Sequence, residues 1–261
     1  MTRSRVRRLL KSDAFGLVEL LEGTRGPVVR RVARGGRIPG TGIVARLLMR
    51  RERRALLALE GMRQVPRPVE DAQLAGLPAT DGRQPRPGQV LLRSWLSGEP
   101  LHRAQRLPLD FFDLLDELVA EMHRRGVCHN DLHKEQNVVV GKDGRPALID
   151  FQLASRHVRP GRVFRSRCRD DLRHVQKHRR RYTRDGRGPA QAGAQHGAGF
   201  GTQRTAAARI WRATAKPLYL WITRGLLKTR DGEERRPSSG PWPSWGEAVG
   251  PLRAGAREDR T

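Results

Sequence analysis

Apolar residues in this chain fall into two kinds of pattern, short unbroken runs and stripes at helical spacing, and together they predict a mixed α+β fold. Val138-Val139-Val140 and Ala147-Leu148-Ile149 flank the turn Gly141-Lys142-Asp143-Gly144. Two such runs around a Gly/Asp turn predict a β-hairpin that brings Asn137 and Asp150 to neighbouring strand ends. Pro27 to Val32 is rich in β-branched residues and predicts a strand; Gln89 to Leu101 reads as a buried strand running into a turn. Residues 42 to 60 instead repeat at helical spacing in strong helix formers, with Leu48, Glu52, Leu56 and Leu59 on one face. Phe111, Leu115, Leu118 and Met122 form a second helical stripe from Asp110 to Gly126, and such stripes are core. A third helical stretch centres on Asp170 to His178. Its Asp170 or Asp171 either braces a neighbouring loop or caps the helix, capping being the simpler role. Residues 66 to 87, rich in Pro, Gly and Asp, predict a loop with at most one short strand.

Glu52 breaks its pattern. An acid on an apolar face needs a buried partner, unless it turns outward to Arg51 or Arg53 as a surface salt bridge. The candidate chemistry lies further on. His129-Asn130-Asp131-Leu132-His133-Lys134-Glu135-Gln136-Asn137 is followed, across the predicted hairpin, by Leu148-Ile149-Asp150-Phe151-Gln152. Carboxylate, carboxamide and carboxylate in this order suit phosphoryl transfer: Asp131 orients the attacking hydroxyl, and Asn137 and Asp150 hold magnesium on the phosphates. Singly, these residues have plainer roles. His129 reads first as a buried structural histidine and second as a catalytic one, and an Asp after an apolar strand is often a strand-end cap.

The two motifs resemble the catalytic loop and metal motif of the protein-kinase-like superfamily, within it the small bacterial kinases related to the RIO and lipopolysaccharide-core sugar kinases. His129, Asp131, Leu132, Asn137, Asp150 and Phe151 match residue by residue. Asn130 stands where the family has arginine, one extra residue separates Asp131 from Asn137, and Gln152 replaces glycine. The resemblance implies a two-lobed kinase-like fold with a minimal carboxy-terminal lobe. Residues 1–96 would be a nucleotide-covering lobe and residues 97–227 a catalytic lobe, with 185–201 a disordered insert and 228–261 a loose tail. It also implies ATP and Mg2+ as cofactors and, as acceptor, a hydroxyl of a protein Ser/Thr or of a lipopolysaccharide-core sugar. Phe15-Gly16-x-Val18 matches the end of a kinase glycine-rich loop, although Lys11 and Asp13 stand where its first two glycines would be. The family's phosphate-binding lysine has no counterpart, because no lysine occurs between Lys11 and Lys134. Arg30, with Val28 on the same strand face against adenine, takes that place, or else Arg31 does, and Glu52 becomes its partner. Without such a replacement the chain is a pseudokinase, a nucleotide-binding scaffold.

Composition changes this picture little. The net charge is +25 over 261 residues, and six of the 52 basic residues are lysine. So strong a positive field favours anionic partners: nucleotide, phosphorylated lipid headgroups or nucleic acid. Nucleic acid is disfavoured, because aromatic residues are sparse in the arginine-rich half and no base-reading module is recognisable. Residues 210 to 227 mix apolar, aromatic and basic side chains and either pack under the second lobe or lie on an anionic membrane surface. No apolar stretch reaches the length of a membrane span. Two cysteines without metal-ligand spacing read as unpaired thiols in a reducing compartment, which makes the cytoplasm, with peripheral contact at the inner membrane, the default expectation.

Overall fold

The computed structural model describes residues 6–13, 15–36, 39–104 and 106–183. The readings of 185–201, 210–227 and 228–261 lie outside the described residues. The fold is α+β, an amino-terminal antiparallel sheet followed by helices. Strands β1 (Val6–Asp13), β2 (Gly16–Gly23), β3 (Gly26–Ala33), β4 (Pro68–Val69) and β5 (Val90–Ser94) pair in the order β1-β2-β3-β5-β4. The β1–β2 turn can be made only with glycine at position 16. Its φ is +138°, and an added Cβ would sit 1.9 Å from the Val32 carbonyl oxygen.

β3 sends Val28, Arg30 and Val32 to one face of the sheet and Val29, Arg31 and Ala33 to the other, as strand alternation requires. The second face is covered by α1 (Thr41–Ala58), where Ala45 and Met49 meet Ala33, Leu91 and Phe15. The first is covered by α2 (Ala72–Gly76), whose Leu74 packs on Leu21, Val28 and Leu92. This short helix lies inside the stretch expected to be a loop. Five residues are too few to show a helical period, but its cap is orthodox, with Leu74 N–H donating to Asp71 Oδ1 at 2.9 Å. A fully buried ion pair holds the cover down. Arg30 Nε donates to Glu19 Oε2 at 2.8 Å and Nη2 lies 2.7 Å from the same oxygen, while Nη1 and Nη2 also donate to the carbonyls of Leu74, Leu77 and Pro78 at 2.9, 2.7 and 3.0 Å. Glu19 Oε1 accepts from Thr80 N–H at 2.7 Å.

Beyond the sheet, α3 (Phe111–Arg124) and α4 (Arg162–Tyr182) pack together, with Arg179 reaching Asp113 at 2.8 Å and Asp116 at 2.7 Å. Small sheets complete this part. β6 (Gly98–Pro100) pairs with β8 (Val138–Gly141), which pairs with β9 (Pro146–Leu148); β7 (Val127–Cys128) pairs with β10 (Ser155–Arg156). The predicted hairpin is therefore present as β8–β9. The predicted helical stripe Phe111, Leu115, Leu118 and Met122 lies in a core shared with Leu56 and Leu59 from the α1 end, Leu132, Phe151 and Tyr182. α4 begins at Arg162, eight residues before Asp170, so neither Asp170 nor Asp171 caps it. Among the described residues, no helix is long and apolar enough to cross a membrane.

The Arg30–Glu19 pair has no exposed surface, so removing one partner strands the other. Arg30→Met should lower unfolding free energy by about 3–5 kcal/mol in urea titrations. Adding Glu19→Leu should recover much of the loss; a double variant as weak as Arg30→Met would contradict this account.

Candidate functional site

α4 holds the loop 129–137 along one stripe of side chains at positions 171, 175, 178 and 182, one helical face. Asp171 accepts the backbone N–H of His129 at 2.8 Å and that of Asn130 at 2.9 Å, one on each oxygen. His178 Nε2 lies 2.7 Å from the Leu132 carbonyl, and Tyr182 Oη donates to Glu135 at 2.5 Å. Val175 fills the space between, fully buried. The loop's backbone is thus fixed from outside its own sequence.

Within that frame Asp131 and Asn137 meet. Asn137 Nδ2 donates to the Asp131 carbonyl at 2.9 Å and to its Oδ2 at 3.1 Å. A 3-10 turn over Glu135–Asn137 takes up the extra residue of the loop. Burial pushes the Asp131 carboxyl up, but His133 and Lys134, at 3.0 and 3.1 Å, outweigh it and hold the group below its usual range. The strand ends adjoin as the hairpin required: Ile149 N–H donates to the Asn137 carbonyl at 3.0 Å. His129 is fully buried, its Nε2 3.0 Å from the Ile149 carbonyl and its ring 4.6 Å from that of Phe151. It positions the strand end beside Asp150 rather than facing outward as a base.

Asn130 and Asp150 both have φ of 64°, and they are the only non-glycine residues with positive φ among the described residues. Asn tolerates this region better than most side chains, and here its amide is used as well. Asn130 Nδ2 donates to the Leu153 carbonyl at 2.8 Å and Ser155 Oγ at 3.1 Å, tying the loop to the segment after Asp150. Left-handed backbone at non-glycine polar residues recurs at functional sites.

From the sheet side, Glu52 is fully buried between Arg93, whose Nη1 donates to it, and Arg31 at 3.8 Å. Burial pushes its carboxyl up, Arg93 and then Arg31 pull it down, and Asp150 pushes it up again. Glu52 thus feels the charge of Asp150. Arg31 Nη2 also donates to Gln152 Oε1 at 2.7 Å, which ties β3 to the segment after Asp150. Arg51 and Arg53 turn elsewhere, Arg51 to the Leu153 and Ala154 carbonyls at 3.1 Å and Arg53 to Glu70 at 3.6 Å.

The structure therefore brings His129, Asp131, Asn137, Asp150, Arg31 and Glu52 around one region. Val18 lies directly opposite Arg31 in the β2–β3 register, on the same sheet face. Phe15 packs beside α1 and Gly16 makes the turn. Arg30 and Val28 are corrected: strand alternation puts them on the α2 face, where Arg30 is consumed by Glu19 and three carbonyls. One residue was missed: Arg93 was legible as a charge inside an otherwise buried strand, which demands an acid nearby. Of the two roles open to Asp171, brace and cap, the structure shows the brace.

Asp150 Oδ1 is buried without a hydrogen-bond partner among the described residues. Asn137, whose backbone adjoins this strand end, carries a carboxamide oxygen, and hard oxygen donors of these two kinds suit magnesium. No protein-family model and no curated protein matches the chain.

Asp171→Ala leaves two buried backbone N–H groups without acceptors. Stability should fall by about 2–4 kcal/mol, with faster amide exchange at His129 and Asn130 than in the rest of the core. Unchanged protection at those two amides would contradict the bracing role.

Proposed function

We propose that this chain is an ATP-dependent phosphotransferase with a protein-kinase-like fold, passing the γ-phosphate to a hydroxyl of a protein Ser/Thr or a lipopolysaccharide-core sugar. The observation that carries the reading is the convergence of Asp131, Asn137 and Asp150 with the buried Arg31–Glu52 pair. In this reading Asp131 orients the acceptor hydroxyl and takes its proton, a role for which its carboxyl is kept ionised by His133 and Lys134. Arg31, steadied by Glu52 and Gln152, offers its guanidinium to the phosphates in place of lysine. Asn137 and Asp150 would hold magnesium, which neutralises charge on the transferred phosphate. His129, Asn130 and Asp171 keep the loop and the Asp150 strand end in register. The surplus of positive charge favours an anionic acceptor, including one at a membrane surface, and the cytoplasmic side of the inner membrane is the location this reading assigns.

One observation favours a second reading. Arg31 is already bonded to Gln152 and paired with Glu52, so phosphates must compete for it. If they fail, the chain is a nucleotide-binding pseudokinase.

The test is phosphotransfer from γ-labelled ATP with magnesium, on lysate protein and on extracted lipopolysaccharide. Asp131→Ala should cut transfer by about 10²–10⁴-fold while ATP affinity stays near that of the unaltered protein. Transfer by the variant at the full rate would refute the assignment; nucleotide binding without transfer by either form would establish the pseudokinase.

A further inference from the structure

Two thiols that the sequence separates by 40 positions meet behind the loop: Cys128 Sγ, at the end of β7, is 3.6 Å from Cys168 Sγ in α4. The sequence had presented them as isolated. Cys128 is buried and Cys168 half-buried, so solvent reaches one member of the pair. His123 joins them, with its ring nitrogen and both sulfurs lying within 4.8 Å of one another. The contact with Cys128 pulls the Cys168 thiol down, burial opposes this, and His123 pulls it down further, to about 6. The same contact, and then burial, push the Cys128 thiol up. An accessible thiolate against a buried protonated thiol is the arrangement that two-step thiol oxidation uses.

We propose that Cys168 and Cys128 are an oxidative modification site, in which hydrogen peroxide converts the pair to an intramolecular disulfide. The Cys168 thiolate attacks one peroxide oxygen. An S–O bond forms, the O–O bond breaks, and hydroxide leaves and takes up the proton that the thiol released, giving water and a sulfenic acid at Cys168. The Cys128 sulfur then attacks the Cys168 sulfur. The S–S bond forms, the S–O bond breaks, and the hydroxyl departs with the Cys128 proton as a second water. Two electrons pass from the sulfurs to peroxide. The sulfurs close from 3.6 Å to about 2.05 Å, a short step for two side chains already in contact.

The same three groups could be read as a soft-metal site, but among the described residues they offer three ligands where a closed soft-metal site takes four, and His123 Nε2 is engaged by Asp171 Oδ2 at 3.1 Å. That contact also gives the site its reach. Cys128 immediately precedes His129, and Cys168 lies one helical turn before Asp171, which holds the His129 and Asn130 amides. Oxidation therefore adds a covalent link between the loop 129–137 and its brace. None of this depends on what reaction the loop serves.

The experiment uses the full chain, reduced, desalted and treated at pH 7 with one equivalent of hydrogen peroxide, with thiols counted after denaturation and intact mass measured. Both thiols should disappear, the mass should fall by two hydrogens, and the protein should remain monomeric on a non-reducing gel. Cys128→Ala should stop at a sulfenic acid on Cys168 that dimedone traps; Cys168→Ser should leave Cys128 unmodified. Two thiols still titrating in the unaltered protein would overturn the proposal whatever the variants do, as would cross-linked dimers. Stoichiometric zinc in the purified protein, released only on blocking the thiols, would overturn it in favour of a metal centre.

Discussion

A carboxylate with no exposed surface has to be answered by cations, and much of this structure follows from how Glu52 is answered. Arg93 from β5 and Arg31 from β3 converge on it from the same sheet face. That requirement fixes which way β3 faces, because α1 can cover only one side of the sheet. Arg31 must point toward α1, so Arg30 must point away. The sheet then needs a second buried acid, Glu19, to satisfy Arg30 on the other side. Two adjacent arginines in one strand are both buried, each with its own carboxylate, and neither is a solvated surface charge.

The Glu52 cluster also connects the sheet to the loops. Arg31 carries the link on to Gln152, and Arg51, one residue before Glu52, bonds the carbonyls of Leu153 and Ala154. The segment after Asp150 is thereby tied to α1 and β3, while Asn130 bonds the Leu153 carbonyl and His129 the Ile149 carbonyl just before Asp150. Asp150 sits between these restraints in a left-handed conformation, uncommon for a non-glycine residue. Its position is set by neighbours on three different elements, and α4 fixes the opposing loop in the same way.

Much of this was legible in the sequence where local rules apply. The β8–β9 hairpin follows from two apolar triplets and a Gly/Asp turn, and it delivered Asn137 and Asp150 to adjoining strand ends. Glu52 announced a buried partner by breaking an apolar stripe. What was not legible depended on relations between distant elements. The choice between Arg30 and Arg31 turns on which face α1 covers, and alternation alone does not say which. The α2 helix is shorter than the period that would reveal it. Whether Asp171 braces the loop or caps its helix turns on how α4 lies across the loop, and the meeting of Cys128 with Cys168 has the same origin. The extra residue between Asp131 and Asn137 was legible, but the 3-10 turn over Glu135–Asn137 was not.

The proposal under test is that Asn137 and Asp150 would hold a magnesium–nucleotide complex beside Asp131. The most direct test is ATP affinity measured by calorimetry with and without magnesium, in the unaltered protein and in Asp150→Ala. The account predicts that magnesium tightens ATP binding by about tenfold or more in the unaltered protein, and that Asp150→Ala removes this dependence. ATP affinity indifferent to magnesium in the unaltered protein, or a dependence that survives in Asp150→Ala, would contradict it.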